Sequence, residues 1–192
     1  MKVVNPLLVI LDLDETLVYG TEQPLARSAD LRVGPYFVYL RPHLGSFLSV
    51  LRERYSLAVW TSAGRDYAYG VVSSIMPWHA ELEFFWCAER CTDHFDHETR
   101  NRNTIKKLSK VKAKGYDLER VVMVDDSPEK HVRNYGNLIH VLPFLGDEKD
   151  DELPAVLRFI DMLALQPNVR AIEKRGWRLT EGGRATPRQE FP

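Results

Sequence analysis

The segment Leu7-Leu8-Val9-Ile10-Leu11-Asp12-Leu13-Asp14 is the part of this 192-residue chain that most clearly indicates its fold. Its apolar part is a continuous run, rich in branched residues, between Pro6 and the acidic pair Asp14-Glu15. Such a run is typical of a strand covered on both faces, as the strands of parallel sheets are. We therefore predict that it forms the first central strand of a sheet.

Four further apolar runs of strand length follow, and segments with helical spacing separate them. The runs are Leu57–Trp60, Phe84–Cys87, Val121–Val124 and Leu138–Leu142, and the helical segments are His43–Tyr55, Asp66–Met76, Asn103–Lys114 and Glu152–Leu165. Because strands that alternate with helices build parallel sheets, the sequence predicts a doubly wound, mostly parallel α/β fold of the Rossmann type. The segment Leu31–Arg41 predicts a small hairpin inserted before the first helix.

The length suits one domain, which we place at residues 1–175. Residues 176–192 are rich in Gly, Arg and Pro, with few apolar residues, and predict a flexible C-terminal tail. Trp177, at its start, is expected to be exposed.

Composition excludes several classes of protein. The 26 Lys and Arg residues nearly balance the 27 Asp and Glu residues, and the net charge of -1 gives no general attraction to nucleic acid or an anionic membrane. Two cysteines suit a reducing compartment, so the cytoplasm is the expected location, with the nucleus as the alternative in a eukaryote. The N-terminal apolar stretch is too short for a signal peptide, and no later run approaches a membrane span.

Polar residues close three of the predicted strands. Asp12 and Asp14 end the first strand, Thr61-Ser62 follows the second, and Asp125-Asp126 closes the fourth. The carboxyl ends of parallel strands share one edge, where ligands bind. Four carboxylates gathered there repel one another unless a cation lies among them, and oxygen ligands beside a phosphate suit Mg²⁺. The sequence thus predicts a magnesium and phosphate site.

These motifs, taken in order, resemble one family. Leu11–Val18 (LDLDETLV) is similar to the DxDxT motif of the haloacid dehalogenase (HAD) superfamily. Its form is typical of the FCP/SCP-like, NIF-type phosphatases that act on the C-terminal domain of RNA polymerase II. The segments that follow in that family's order are Arg41-Pro42-His43, Trp60–Ala63, Thr104–Leu108 and Val124–Pro128. The likeness extends from about Leu7 to Leu165.

The resemblance implies a Mg²⁺-dependent phosphomonoesterase that forms a phosphoaspartyl intermediate. Asp12 would attack phosphorus and bind the metal. Asp14 would protonate the leaving alcohol, activate the hydrolytic water and offer its main-chain carbonyl to the metal. Asp126 would complete the metal site, with Asp125 behind it or bound through water.

The resemblance also implies residues that hold the phosphate. Thr61 would hydrogen-bond the phosphoryl oxygens, and a lysine before the fourth strand would neutralise their charge. The Lys-x-Leu-Ser register favours Lys106 over Lys107, but a shift of one residue on a helix turns a side chain by about 100°, so the choice stays open. Substrate contacts are further expected from Thr16, Arg41 and Ser62.

Two departures from the family bear on the substrate. Ala88 stands where the family has an arginine, and residues 25–34 do not match its peptide-docking insert. Because the motifs around Asp12, Thr61 and Lys106 lie close together in the sequence, no large cap domain fits between them. An open site favours a phosphorylated macromolecule, foremost a phosphoserine or phosphothreonine protein, with a nucleic-acid end as the second choice.

Several alternatives remain at this point. The same chemistry could serve a polynucleotide 3'-phosphatase or a small-molecule phosphatase. A catalytically silent, phospho-accepting interaction module is the alternative of another class, although Asp14 favours turnover.

Two other patterns have simpler explanations. The spacing of Cys87, Cys91, His94 and His97 could hold zinc, but a buried thiol and surface histidines are preferred. The lysines within residues 106–114 are best explained as a solvated helix face.

Overall fold

The computed structural model describes residues 6–95, 100 and 102–180. The strands in these ranges are β1 (Leu8–Leu11), β2 (Val18–Thr21), β3 (Leu31–Val33), β4 (Tyr36–Leu40), β5 (Ser56–Trp60), β6 (Phe85–Trp86), β7 (Thr92–Phe95), β8 (Arg102–Ile105), β9 (Val121–Asp125) and β10 (Leu138–His140). The helices are α1 (Leu44–Arg54), α2 (Arg65–Ile75), α3 (Ser109–Lys112), α4 (Glu152–Ala164) and α5 (Trp177–Thr180).

The central sheet has five strands in the order β6-β5-β1-β9-β10, and every pair is parallel. The first strand of the chain therefore lies in the middle, with its neighbours added first on one side and then on the other. All four residues of β1 are buried, as the continuous apolar run predicts. The predicted parallel α/β sheet is confirmed, and its order reverses beside β1, where ligands bind in such folds.

Helices cover both faces of this sheet. Val9 and Leu11 of β1 belong to the core that includes α1, α2 and α4. Leu8 and Ile10 point the other way and share a second core with Val111 of α3. This alternation follows from the two-residue period of a strand and confirms the doubly wound architecture.

A small antiparallel sheet, β2-β4-β3, is inserted between β1 and α1. The predicted hairpin corresponds to β3 and β4, whereas β2 is short and was not predicted. The insert packs closely on α2, because a Cβ on Gly70 would come within 2.5 Å of a methyl carbon of Val33. Among the described residues nothing larger stands between β1 and α1, as the spacing of the motifs predicts.

The predicted helix Asn103–Lys114 is wrong in its first half. Residues 102–105 form β8, which pairs antiparallel with β7, and only Ser109–Lys112 is helical. The lysine spacing resembles a helix face, but Thr104 and Ile105 favour a strand once β7 supplies a partner. Local periodicity does not reveal such a partner.

The predicted start of the flexible tail at Gly176 also needs correction. Trp177 is 4% exposed, stacks on Phe159, and donates its indole N–H to the carbonyl of His140 at 2.7 Å. The folded region therefore includes α5, and residues 181–192 of the predicted tail lie outside the described residues. Within the described ranges no helix is both long and apolar enough to cross a bilayer. The expected cytoplasmic location stays a prediction.

Candidate active site

The carboxyl ends of β1, β5 and β9 bring the predicted acidic and hydroxyl residues to one edge of the sheet. Asp12 follows β1 directly, and its main-chain N–H donates to the carbonyl of Val124 at 3.0 Å, which extends the pairing with β9. Asp12, Thr61 and Asp125 are each at most 2% exposed. The sheet thus fixes the polar groups through main-chain pairing and burial.

Three buried carboxylates form a cluster suited to a metal ion. Asp12, Asp125 and Asp126 each offer an oxygen, and these oxygens lie within 4.8 Å of one another. Burial, and then the charge of Asp125, raise the pKa of Asp12 above its usual range. A divalent cation with a preference for oxygen would relieve this repulsion, so the residues present fit Mg²⁺.

Lys106 carries the positive charge inside this cluster. Its Nζ lies 2.6 Å from Asp125 Oδ2 and 3.0 Å from Asp12 Oδ1, and the residue is fully buried. Burial alone would lower the pKa of Lys106, but the two aspartates raise it, so the amine stays protonated. Lys107 is half-buried, and its side chain has no hydrogen bond or ion pair among the described residues. Of the two candidate lysines, Lys106 is the one that lies inside the acidic cluster.

His131 is a member of the cluster that sequence reasoning missed. Its buried Nε2 lies 2.8 Å from Asp125 Oδ2, and the main-chain N–H of Ser127 donates to Asp125 Oδ1 at 2.9 Å. Burial would raise the pKa of Asp125, but Lys106 and His131 lower it below its usual range. No local sequence signal marks His131, because a tight 3₁₀ turn brings it back to the strand end.

Thr16 has a different role from the predicted substrate contact. The residue is fully buried, and its hydroxyl donates to Asp126 Oδ1 at 3.1 Å. The Thr16 hydroxyl oxygen in turn accepts the main-chain N–H of Asp126 at 3.2 Å. A hydroxyl engaged in this way positions Asp126 and does not face a substrate. The Ser127 hydroxyl donates to the other oxygen of Asp126 at 3.2 Å.

Arg41, also predicted to contact the substrate, is 1% exposed and serves the scaffold instead. Its Nε and Nη2 donate to the two carboxylate oxygens of Asp150, each at 2.8 Å. Further bonds go to the carbonyls of Thr16 at 2.9 Å and Leu142 at 2.8 Å. Arg41 thus ties the loop before α4 to the loop that follows β1, which replaces the predicted role.

We expect Asp150→Asn to destabilise the fold by about 2 kcal/mol, because it leaves the buried guanidinium of Arg41 without its countercharge. Arg41 lowers the pKa of Asp150, although burial opposes this. The stability is therefore present above the unfolded pKa of about 3.9 and is lost as pH falls through the folded pKa. Urea unfolding at pH 7 measures it, with exposed Asp147→Asn as the control. Equal midpoints for the two variants would contradict the prediction.

Asp14 is not one of the three clustered aspartates, and its carboxylate contacts Tyr67 of α2. Tyr67 donates its hydroxyl to Asp14 Oδ1 at 2.6 Å, and its ring meets Tyr36 edge-on at 5.0 Å. Burial raises the pKa of Asp14, and the bond from Tyr67 offsets only part of this rise. A Cβ on Gly20 would lie 2.2 Å from the Tyr67 oxygen, so only glycine leaves room for this contact. The arrangement gives a half-buried carboxyl suited to proton transfer, and Tyr67 is a second residue that the sequence analysis missed.

Tyr67→Phe tests this arrangement. Removing the bond that lowers the pKa of Asp14 should move the limb of the pH–kcat profile governed by Asp14 to higher pH, by up to about one unit. The rate at neutral pH should fall about threefold to tenfold. Tyr36→Phe, which removes a hydroxyl from the neighbouring ring, is the matched control. A Tyr67→Phe profile that overlies the wild-type profile would exclude a positioning role.

Thr61, predicted to contact the phosphate, is buried at the end of β5 and has an available hydroxyl hydrogen. Its Oγ1 accepts the N–H of Ala63 at 3.0 Å and donates to no acceptor among the described residues, so its hydrogen is free for an incoming oxygen. Ser62 beside it is half-buried, and Cys91 Sγ lies 3.9 Å from the Ser62 hydroxyl.

The alternative of a zinc site gains no support from the described residues, where the three aspartates are the only grouping that could hold a metal. Cys87 is a buried free thiol, and burial raises its pKa to about 11. Cys91 is also a free thiol, with Sγ 3.8 Å from the carbonyl of Thr61. His97 lies outside the described residues.

Comparison with known proteins identifies the family. The model of the NLI interacting factor-like phosphatases matches residues 7–170. The chain belongs to this family. The resemblance of its ordered motifs to FCP/SCP-like phosphatases is thereby confirmed.

Individual relatives share less than a third of their aligned residues with this chain. The carboxy-terminal domain RNA polymerase II polypeptide A small phosphatase 1 of Homo sapiens is 29% identical over 171 residues, which are 85% of this chain and 62% of that protein. The CTD nuclear envelope phosphatase 1B of Danio rerio is 28% identical over 183 residues, or 88% of this chain and 71% of that protein. The chain spans less than two thirds of the human relative.

A solved structure supports the fold. The structure of Fcp1, an essential RNA polymerase II CTD phosphatase, superposes with a TM-score of 0.56 at 23% identity and covers 94% of this chain and 55% of that one. At this identity the likeness shows the fold alone. It confirms the predicted HAD-like architecture.

Proposed function

We propose that this chain is a Mg²⁺-dependent phosphomonoesterase with Asp12 as its nucleophile. The observation that carries the proposal is the buried ammonium of Lys106 held between Asp12 and Asp125, with Asp126 beside them. Because Lys106 favours the ionised form of Asp12, it supports a carboxylate able to attack phosphorus. Asp12, Asp126 and the main-chain carbonyl of Asp14 would hold Mg²⁺, and Asp125 would lie behind Asp126 or contact the metal through water. When bound, Mg²⁺ would neutralise charge on the phosphoryl group.

The first step forms a phosphoaspartyl enzyme. An oxygen of Asp12 bonds to phosphorus while the ester bond breaks, and the leaving oxygen takes a proton from Asp14. The raised pKa of Asp14 suits a group that must carry this proton near neutral pH. Thr61 would donate its free hydroxyl hydrogen to a phosphoryl oxygen, and Ser62 beside it is the other hydroxyl at this point.

The second step regenerates the enzyme. Asp14, now ionised, takes a proton from water, whose oxygen bonds to phosphorus as the bond to Asp12 breaks. Inorganic phosphate leaves, and both carboxyl groups return to their starting states. Lys106 stays protonated throughout and stabilises the negative charge that builds up at the phosphoryl group.

The substrate we propose is phosphoserine or phosphothreonine in a protein. Two observations support it. Within the described residues the insert between β1 and α1 is only a three-stranded sheet, so a phosphate on a large molecule can approach. The curated relatives carry names of C-terminal domain phosphatases. A polynucleotide 3'-phosphate is the second candidate, which the net charge of -1 does not favour.

Hydrolysis of p-nitrophenyl phosphate with and without Mg²⁺, and with beryllium fluoride as an inhibitor, tests the chemistry. We expect activity that requires the metal and is blocked by the fluoride. Phosphoserine peptides, 3'-phosphorylated oligonucleotides and sugar phosphates then rank the substrates. An inactive wild-type chain under every metal tried would refute the proposal and favour the silent interaction module.

A further inference from the structure

Lys130 occupies a fixed position next to the acidic cluster, and no motif in the sequence drew attention to it. It lies on the 3₁₀ turn Pro128–His131, directly after Asp125-Asp126. Its N–H donates to the carbonyl of Ser127 at 3.1 Å, and its own carbonyl accepts the N–H of Lys106 at 2.9 Å. The backbone of Lys130 is therefore held by the same residues that build the site.

The ammonium group of Lys130 acts on carboxyl groups of the site. Burial raises the pKa of Asp12, Asp14 and Glu15, and the charge of Lys130 opposes this rise on all three. Since Coulomb interactions weaken with distance, the ammonium lies close enough to act on all three carboxyl groups.

Unlike Lys106, Lys130 has an ammonium group without a partner among the described residues. Lys106 is fully buried and already shared by Asp12 and Asp125. Lys130 is half-buried, and its Nζ has no hydrogen bond or ion pair among the described residues. A phosphoryl group brought to Asp12 adds up to two negative charges to an already acidic site. A cation beside the carboxylates that has no partner among the described residues would favour its binding.

We propose that Lys130 Nζ binds a non-bridging oxygen of the phosphoryl group that is presented to Asp12. Lys130 is thus a substrate-binding residue for phosphate monoesters, bonded through its backbone to Lys106. The inference rests on the proposed function. It goes further by assigning the recognition of the dianion to a residue of the turn after β9.

Two variants of Lys130 test the assignment. Lys130→Gln keeps much of the length and removes the charge, and Lys130→Arg restores the charge. At saturating Mg²⁺ we expect Lys130→Gln to raise about tenfold both the KM for p-nitrophenyl phosphate and the inhibition constant of inorganic phosphate. Its kcat should fall less than about threefold, because Lys130 binds the substrate and the transition state about equally. Lys130→Arg should restore both constants, and exposed Lys112→Gln should match wild type.

An opposite pattern would overturn the assignment. If the inhibition constant of phosphate is unchanged in Lys130→Gln while half-saturation by Mg²⁺ occurs at lower concentration, Lys130 only offsets the carboxylates. A failure of the proposed function would show instead as a wild-type chain without hydrolysis. In that case calorimetric titration with inorganic phosphate decides: weaker binding by Lys130→Gln than by wild type supports the site, and equal binding excludes it.

Discussion

Asp12→Asn is expected to abolish Mg²⁺-dependent hydrolysis of p-nitrophenyl phosphate, with a loss of at least about 10⁴-fold, because an amide oxygen cannot form the acyl phosphate. Asp14→Asn keeps the attacking carboxylate and loses only the proton carrier. It should therefore retain a slow turnover, lower than wild type by about 10²-fold to 10⁴-fold. Steady-state rates of the three proteins at equal concentration measure the difference.

Asp12→Asn should leave the fold intact. Burial and Asp125 raise the pKa of Asp12 to about 7, so ionising this carboxyl costs free energy in the metal-free protein. Asp12→Asn removes that cost, and we expect the midpoint of thermal unfolding in a chelator to equal or exceed that of wild type. Activity close to wild type in the folded variant would rule out Asp12 as the nucleophile.

Lys106→Met is expected to have the largest combined effect on activity and stability. It leaves Asp12 and Asp125 in a buried site without the ammonium that lies within 3.0 Å of both. Removing one partner of a buried ionic group costs about 3 to 5 kcal/mol. Hydrolysis should fall at least about 10³-fold, because the charge that stabilises the transition state is lost with it.

Urea unfolding with and without Mg²⁺ separates the two effects. The metal should restore part of the stability of Lys106→Met, since it binds the same carboxylates, but not the activity. Lys107→Met, on the adjacent half-buried lysine, is the matched control and should change stability by less than about 0.5 kcal/mol. If both variants lost the same stability, the assignment of the inward-facing lysine to position 106 would be wrong.

The mostly parallel sheet, and the edge of it where the acidic residues meet, could be predicted from the amino-acid sequence alone. Continuous apolar runs such as Leu7–Leu13 admit few structures other than a strand covered on both faces. Residues at the ends of those strands, among them Asp12, Thr61 and Asp125, then have little freedom in where they lie. The family, and the grouping of Asp12, Asp125 and Asp126 at one edge of the sheet, could therefore be predicted.

Features that depend on partners distant in the sequence could be seen only in the folded chain. Lys106 faces inward because β8 pairs with β7, where periodicity predicted a helix. The burial of Arg41 against Asp150, and of Thr16 against Asp126, converts two predicted substrate contacts into positioning residues. Each of these contacts joins segments more than 100 residues apart, and local pattern carries no information about such pairs.

The same reason explains the residues that were missed. Tyr67 reaches Asp14 only because α2 packs against a strand that carries glycine at position 20. His131 and Lys130 become part of the site because a tight turn after β9 reverses the chain onto the strand ends. Strand ends are fixed by hydrophobic burial, which the sequence displays, whereas the side chains that complete the site are fixed by packing, which it does not.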